Sequence, residues 1–365
     1  MMMIIFLVTI NVLYPKPPLQ KIEMSRIALS EASKAEAESY AAKSFQDAKK
    51  SWERLMETWR LENQKPFFRR EFQKLETLAD QIVIKAEQAK HKSIQARDSL
   101  KNVAKVESIL LQEKITEFRA NFEQLPIDES SRRKMTRGEL LIFEGKFILD
   151  RQDYKKAVER FRLAEALIGQ SGEEVTEMLN DYLKNIPIWR RWTEETISKS
   201  KENEDVAIIV DKIDHTCYIY DSGKLVQKYS IELGKNWIGH KRQKGDDATP
   251  EGQYFIQKKI QNGQSKYYKA LAINYPNETD VQRFNEAKKR GELPKNAQIG
   301  GLIEIHGEGG KGINWTQGCV AMKNEDLDKI FNKVKIGTPV TIVGSLNGTN
   351  SKNSRSQNSN SKNQQ

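Results

Sequence analysis

The sequence predicts a multidomain α + β chain: an all-α N-terminal region of helical hairpins or a long bundle, then a mainly β C-terminal domain. Three observations carry this. No glycine precedes Gly138, and residues 24–198 are dominated by Ala, Glu, Lys, Gln and Leu, which favour helix. From Val206 onward, short runs of β-branched and aromatic residues alternate with Gly, Asp and Asn turns, the pattern of strands. Between the two lies 199–205, polar throughout, which reads as a linker. A length of 365 residues accommodates two or three such domains.

Taken in order, residues 1–14 are almost wholly apolar and run into three prolines, Pro15, Pro17 and Pro18. The run is shorter than the ~20 residues a spanning helix needs, and it lacks the basic start and small-residue cleavage site of a secretory signal. It is expected to be an uncleaved export signal or an anchor in the cytoplasmic membrane. In 24–198, Ile27, Ala28, Ala32, Ala35, Tyr40, Ala41, Phe45, Ala48, Trp52 and Leu55 recur at helical steps of three and four. Pro66 and Pro126 mark helix ends. The stretch 154–164 resembles one helix of a tetratricopeptide-like repeat, although no regular ~34-residue period runs through the region. Its aromatics are expected in the core. Strands are expected at 206–210, 216–220, 225–231, 252–256, 271–274, 302–305 and 340–343, with helices at 279–290 and 325–334. Residues 346–365 are Ser-, Asn-, Lys- and Gln-rich and are expected to be disordered.

The formal net charge of +10 does not by itself select a partner. Lysines are interleaved with glutamates along the predicted helices, where they form solvated faces, and no nucleic-acid module is present. Nucleic acid is therefore not an expected partner. Two cysteines and four histidines show no C-x-x-C, H-E-x-x-H or comparable metal-ligand spacing. The glycine cluster Gly309-Gly310-Lys311-Gly312 lacks the strand-to-helix setting and Ser/Thr of a phosphate cradle, and reads as a flexible loop. Neither metal nor cofactor is expected.

Chemistry concentrates near the C-terminus. Ile303-Glu304-Ile305-His306-Gly307 is followed by Asn314-Trp315-Thr316-Gln317-Gly318-Cys319, which sets a cysteine thirteen residues after a histidine and directly behind a glycine. A cysteine is a useful nucleophile only as thiolate, and an imidazole brought alongside supplies the base. Gly318 permits a tight turn that brings backbone N–H groups to a substrate carbonyl. The pair reads as a Cys/His acyl-transfer site. Cys217 lies in a strand-like run and reads as a small core residue. A Cys217–Cys319 disulfide would disable the nucleophile and is not expected. His91 reads as a surface residue, and His240 as one that overhangs the cleft at most.

These residues resemble the signature of YkuD-type L,D-transpeptidases, enzymes that remodel bacterial peptidoglycan. Their pattern is His-Gly, a spacer of about a dozen residues, then Ser/Thr-His-Gly-Cys; His306-Gly307 and Thr316-Gln317-Gly318-Cys319 match it. Gln317 stands where most members carry a second histidine, and the Trp315-Thr316-Gln317-Gly318-Cys319 run is similar to a Trp-Thr-x-Gly-Cys subgroup. Gly245-Asp246-Asp247-Ala248-Thr249-Pro250-Glu251-Gly252 resembles the family's Gly-Asp-x-x-Thr-Pro-Glu-Gly turn, and Tyr275-Pro276-Asn277 with Asp280 is similar to the same subgroup. The resemblance spans residues 206–345 and implies a β-sandwich or partly closed barrel with its site in a cleft.

It further implies a two-step acyl exchange on the tetrapeptide stems of peptidoglycan. Cys319 would be the nucleophile and His306 its base, with Gly307 orienting the imidazole through its carbonyl. The N–H groups of Gly318 and Cys319 would form the oxyanion hole. Thr316, Trp315 and Asn324 are candidates to shape the nucleophile turn and the substrate site, and Gln317 to bond substrate. Ala321 occupies a position where many members place Arg. Hydrolysis, as a carboxypeptidase or amidase, is an alternative outcome of the same thioester. A helical adaptor that merely binds peptidoglycan is a third reading, against which the presence of both His306 and Cys319 argues. Such a substrate implies an extracytoplasmic, periplasmic location, with the N-terminus at the inner membrane. Residues 24–198 would then be a spacer or a dock for a protein partner, and 206–345 would be self-sufficient.

Overall fold

The computed structural model describes residues 16–123, 125–261 and 263–347. The apolar run 1–14 and the tail beyond Asn347 lie outside the described residues. By its internal contacts the chain divides into two units: residues up to Glu117 with Met135–Ile168, and Phe118–Lys134 with everything from Gly169.

The first unit is all helix. α1 (Leu19–Lys34), the single-turn α2 (Ala37–Tyr40) and α3 (Ala42–Gln64) pack with the first part of α4 (Gln73–Phe122). α3 stops before Pro66, which forces Lys65 into an extended conformation. Small residues sit where these helices meet: Ala32, Ala37, Ala48, Ala86 and Ala89 are fully buried around Phe45. A second cluster forms around Leu55, Phe72, Leu75, Ala79 and Ile82. α5 (Glu129–Asp150) and α6 (Tyr154–Leu183) make an antiparallel hairpin whose key is glycine. A Cβ on Gly145 would stand 2.5 Å from the Phe161 ring, and one on Gly138 would stand 2.7 Å from Ile168. Both glycines and both partners are seven residues apart, two turns of helix. α4 is continuous over 50 residues and α6 over 30, longer than the short paired helices of a tetratricopeptide-type repeat.

The second unit is built on one mixed eight-stranded sheet, a half-barrel in the order β3-β2-β1-β8-β4-β5-β6-β7. The strands are β1 (Val206–Asp211), β2 (Thr216–Asp221), β3 (Lys224–Ser230), β4 (Gly252–Ile260), β5 (Ala270–Ile273), β6 (Glu304–His306), β7 (Val320–Ala321) and β8 (Pro339–Val343). β1–β8 and β6–β7 are parallel; every other pairing is antiparallel. α8 (Glu278–Lys289) and α9 (Asn324–Phe331) complete it. The Tyr-Pro-Asn…Asp element is the start of α8: Asn277 Oδ1 accepts from the Asp280 N–H and Asp280 Oδ2 accepts from the Asn277 N–H, both at 3.0 Å, a reciprocal cap.

Two sequence expectations about boundaries are corrected. The polar stretch 199–202 is no linker but the last turn of α7 (Ile186–Glu202). Its Ser200 side chain is buried and bonded: Oγ donates to the Asp205 carbonyl at 2.6 Å, and the Gly223 N–H donates to Ser200 Oγ. One turn earlier, Thr196 Oγ1 meets Thr341 Oγ1 at 2.6 Å. Helix α7 therefore groups with the strands and not with the N-terminal helices. Its Trp189, 1% exposed, is part of the sheet's core, edge-on to Tyr182 and over the α-carbon of Gly344. At the other end, Leu346 is tied down by its N–H to Asp211 Oδ2 at 2.9 Å, so order persists past residue 345.

A fragment starting at Val206 lacks this tryptophan and exposes its socket. We expect Trp189→Ala to destabilise the second unit by about 3–5 kcal/mol, read by urea unfolding of the full chain, and a 206–347 fragment to unfold at far lower urea than one beginning at Phe118. Equal midpoints for the two fragments would show that α7 is an accessory.

Candidate active site

The nucleophile loop is threaded between two extended segments. On one side, residues 231–235 run alongside it: the Glu232 and Ala321 backbones exchange hydrogen bonds at 2.8 Å, the Thr316 N–H donates to the Leu233 carbonyl, and Asn314 Oδ1 accepts from the Leu233 N–H at 2.8 Å. On the other, β7 pairs in parallel with β6, Ile305 opposite Val320 and His306 opposite Ala321. Cys319, immediately before β7, and His306, at the end of β6, thus arrive in one cleft of about 810 Å³. Parallel pairing of β6 and β7 returns the chain to the same level after the twelve residues between His306 and Cys319.

His306 is 1% exposed and tightly oriented. Its Nδ1 lies 2.7 Å from the Gly307 carbonyl oxygen. A carbonyl only accepts, so Nδ1 carries the proton and Nε2 keeps its lone pair. The ring stacks on Tyr267 at 4.3 Å and meets the edge of Trp315 at 5.8 Å. Burial holds the imidazole's pKa below the usual range, against the opposing Gly307 bond, so the neutral base is the resting form. Burial also pushes the half-buried Cys319 thiol up to about 11, an effect the Glu304 backbone N–H counteracts in part. The resting pair is therefore thiol and neutral imidazole. Cys217, fully buried in β2, is pushed to about 12 by burial alone, and both cysteines are free thiols.

Gly318 has φ +124°, and a Cβ there would stand 2.5 Å from the Ala248 carbonyl oxygen. Only glycine fits. The expectation that its N–H helps form the oxyanion hole needs correction: that N–H donates to Thr316 Oγ1 at 3.2 Å, and the same hydroxyl donates to the Cys319 carbonyl at 2.7 Å. Thr316 is buried and braces the turn; of the remaining binding candidates, only the exposed Gln317 joins it in lining the cleft. Trp315 and Asn324 are outside the cleft lining. The Trp315 indole donates to Glu232 Oε2 at 2.7 Å, and Asn324 Oδ1 accepts from the Glu308 N–H at 2.7 Å, holding the turn that follows His306. Both position the histidine's surroundings through these bonds.

The glycine cluster is pinned and not a loose loop. The Gly312 N–H donates to Glu232 Oε1 at 2.6 Å, the Gly309 N–H donates to the Met322 carbonyl, and the Lys311 ammonium sits over the Trp315 ring. Sequence reasoning missed Glu232, whose two carboxylate oxygens staple this loop to the nucleophile turn, and Tyr267, which stacks on the base. Neither belongs to a motif; each is recognisable only by its partner. It also gave no role to Lys212, whose ammonium is buried against Glu251. His240 does not overhang the cleft: its Nδ1 accepts from the Glu251 N–H at 3.0 Å, and burial lowers its pKa to about 4. His91 is exposed on α4. Among the described residues, no cluster of three His, Cys, Asp or Glu is placed to hold a metal ion.

Residues 205–342 match the YkuD family model, the L,D-transpeptidase catalytic domain. Over 111 residues the chain is 32% identical to the "Putative L,D-transpeptidase YafK" of Escherichia coli K12; this covers 30% of the present chain and only 38% of that relative. Among solved structures, it is similar to Bdellovibrio bacteriovorus Bd1075 (23% identity, 43% of this chain and 55% of that one, TM-score 0.30). It is also similar to an Enterococcus faecium L,D-transpeptidase (18% identity, 38% and 50%, TM-score 0.26).

With a thiol near 11, alkylation of Cys319 by iodoacetamide is expected to rise about tenfold per pH unit from pH 7 to 10, following the thiolate fraction. Cys217 should remain unlabelled throughout; mass spectrometry of peptides reads both. A rate already at its plateau by pH 7 would reveal a preformed thiolate–imidazolium pair instead.

Proposed function

We propose that the L,D-transpeptidase catalytic domain at residues 205–342 performs cysteine acyl transfer on peptidoglycan tetrapeptide stems. The observation that carries this reading is the buried His306, whose Nδ1–H is committed to the Gly307 carbonyl and whose Nε2 is thereby left basic, in one cleft with Cys319. His306 takes the thiol proton as Cys319 sulfur attacks the carbonyl between the third residue and the terminal D-amino acid. The Cys319 N–H steadies the oxyanion, since that of Gly318 is engaged by Thr316. Collapse forms a thioester and expels the D-amino acid, whose amine leaves with the proton from His306. An amine acceptor then attacks the thioester, gives its proton to His306, and departs as the new amide while the sulfur is reprotonated. Transfer to a second stem makes a crosslink; transfer to water makes a tripeptide.

The substrate assigns this work to the outside of the cytoplasmic membrane, and residues 1–14 are the segment proposed to hold the protein there. Among the described residues no helix is long and apolar enough to cross a membrane. A protein partner for the N-terminal helices belongs to the same proposal.

The test is incubation with purified tetrapeptide muropeptides and mass analysis of products. Cys319→Ala is expected to abolish turnover, His306→Ala to lower it by roughly 10²–10⁴-fold, and Cys217→Ser to retain it. Full activity in Cys319→Ala would end this reading. Tripeptides without crosslinked dimers would assign the chain to hydrolysis.

A further inference from the structure

The cleft contains a carboxylate that acyl transfer does not use. Glu304 lies on β6 two residues before His306, so the two side chains share a sheet face, and both line the cleft with Cys319. The Cys319 thiol donates to the Leu302 carbonyl at 3.6 Å, two residues before Glu304 in the same segment. The residue is half-buried, and its carboxylate has no hydrogen-bond or ion-pair partner among the described residues. Burial raises its pKa, with the Lys258 charge opposing from the neighbouring strands. A half-buried carboxylate that no hydrogen-bond donor satisfies, and that only the Lys258 charge offsets, gains from a ligand that brings a cation.

The rest of the cleft carries the opposite sign. Lys241, Lys244 and Lys266 line it; Lys241 is engaged by Asp246 at 2.6 Å, whereas Lys244 and Lys266 are exposed. A cleft with a carboxylate beside the nucleophile and ammonium groups around it matches a zwitterionic amino-acid centre, one bearing a free amine and a free carboxylate.

We propose that Glu304 binds a primary ammonium group of the substrate next to the scissile carbonyl. This rests on the acyl-transfer reading given above and adds the charge that the cleft selects. Two substrate positions bring such an amine: the side chain of the donor's third residue, and the acceptor. A residue in this role sets specificity without taking part in bond making.

One arm of the test needs no stem peptide. Cys319 in the full-length protein is modified by methanethiosulfonate reagents carrying an aminoethyl cation or a sulfonatoethyl anion, and the two rates are compared by mass. Glu304→Gln, nearly the same shape without the charge, should lower the cation-to-anion rate ratio by about tenfold, and Glu304→Asp should restore part of it. An unchanged ratio overturns the proposal whatever the reaction is. The other arm uses tetrapeptide donors with the side-chain amine free or acetylated, and acceptors likewise. Glu304→Gln should lower the rate of acyl-enzyme formation or of transfer by about tenfold or more and abolish the sensitivity of that step to acetylation. Loss in the first step identifies the donor's amine, and loss in the second the acceptor's. Wild-type rates in both steps overturn the proposal. A wild-type protein that no stem peptide acylates, yet whose reagent ratio responds to Glu304→Gln, would retire the acyl-transfer reading and keep the ammonium site.

Discussion

The ammonium of Lys212 is the point on which the catalytic half of the molecule hangs. It is fully buried at the end of β1, and its three N–H donors meet three oxygens: the Gly239 carbonyl at 2.6 Å, the Thr249 carbonyl at 2.9 Å and Glu251 Oε1 at 2.8 Å. Glu251 also accepts from the Tyr182 hydroxyl at 2.6 Å. Burial pulls the lysine's pKa down and Glu251 opposes it, so the charge is kept only while the cage is complete. What the cage fixes is the Thr-Pro-Glu-Gly turn. That turn in turn fixes the Gly318-Cys319 turn: Thr249 Oγ1 accepts from the Gly234 N–H, and the preceding Ala248 carbonyl sits against Gly318. Three motifs far apart in sequence are one object, joined through a lysine that belongs to none of them.

The chemistry of the pair follows from how dry its setting is. An exposed cysteine next to a protonated histidine would rest as an ion pair, with a nucleophile available to any electrophile. Here burial disfavours charge on both partners, so the resting pair is a thiol and a neutral imidazole. Under the acyl transfer proposed above, reactivity would then be coupled to substrate geometry. The stacking of Tyr267 and the edge of Trp315 leave the imidazole little rotational freedom, and the Gly307 carbonyl chooses its tautomer.

What was legible in the sequence was what short segments decide for themselves. β-branched runs at 206–210 and 340–343 form strands because their residues suit a pleat in any context, and Pro66 ends a helix wherever it stands. The Cys319–His306 juxtaposition was readable because residue type and a glycine turn already limit what such a segment does. Partnership across the fold was not readable. Ser200 looks like a solvent-facing linker residue until Asp205 and Gly223 supply its bonds, and nothing local to Thr196 points it at Thr341. Glu232 looks like a surface acid until Gly312 and Trp315 fill both of its oxygens. Trp315 and Asn324 were drawn toward the substrate by their place in the motif, whereas their hydrogen bonds commit them to the protein.

The glycine notches of the α5–α6 hairpin have a consequence for how this chain can vary. Phe161 seats on Gly145 and Ile168 on Gly138, and the two contacts share one register because both spacings are seven. A single-residue insertion between the notches would rotate one of them about 100° off the interface and set a phenylalanine or isoleucine against a side chain with no hollow to receive it. Lengthening that preserves the joint must come in sevens, on both helices together, or about 10.5 Å at a time. The hairpin behaves as a ratchet in evolutionary length, admitting whole teeth and rejecting fractions.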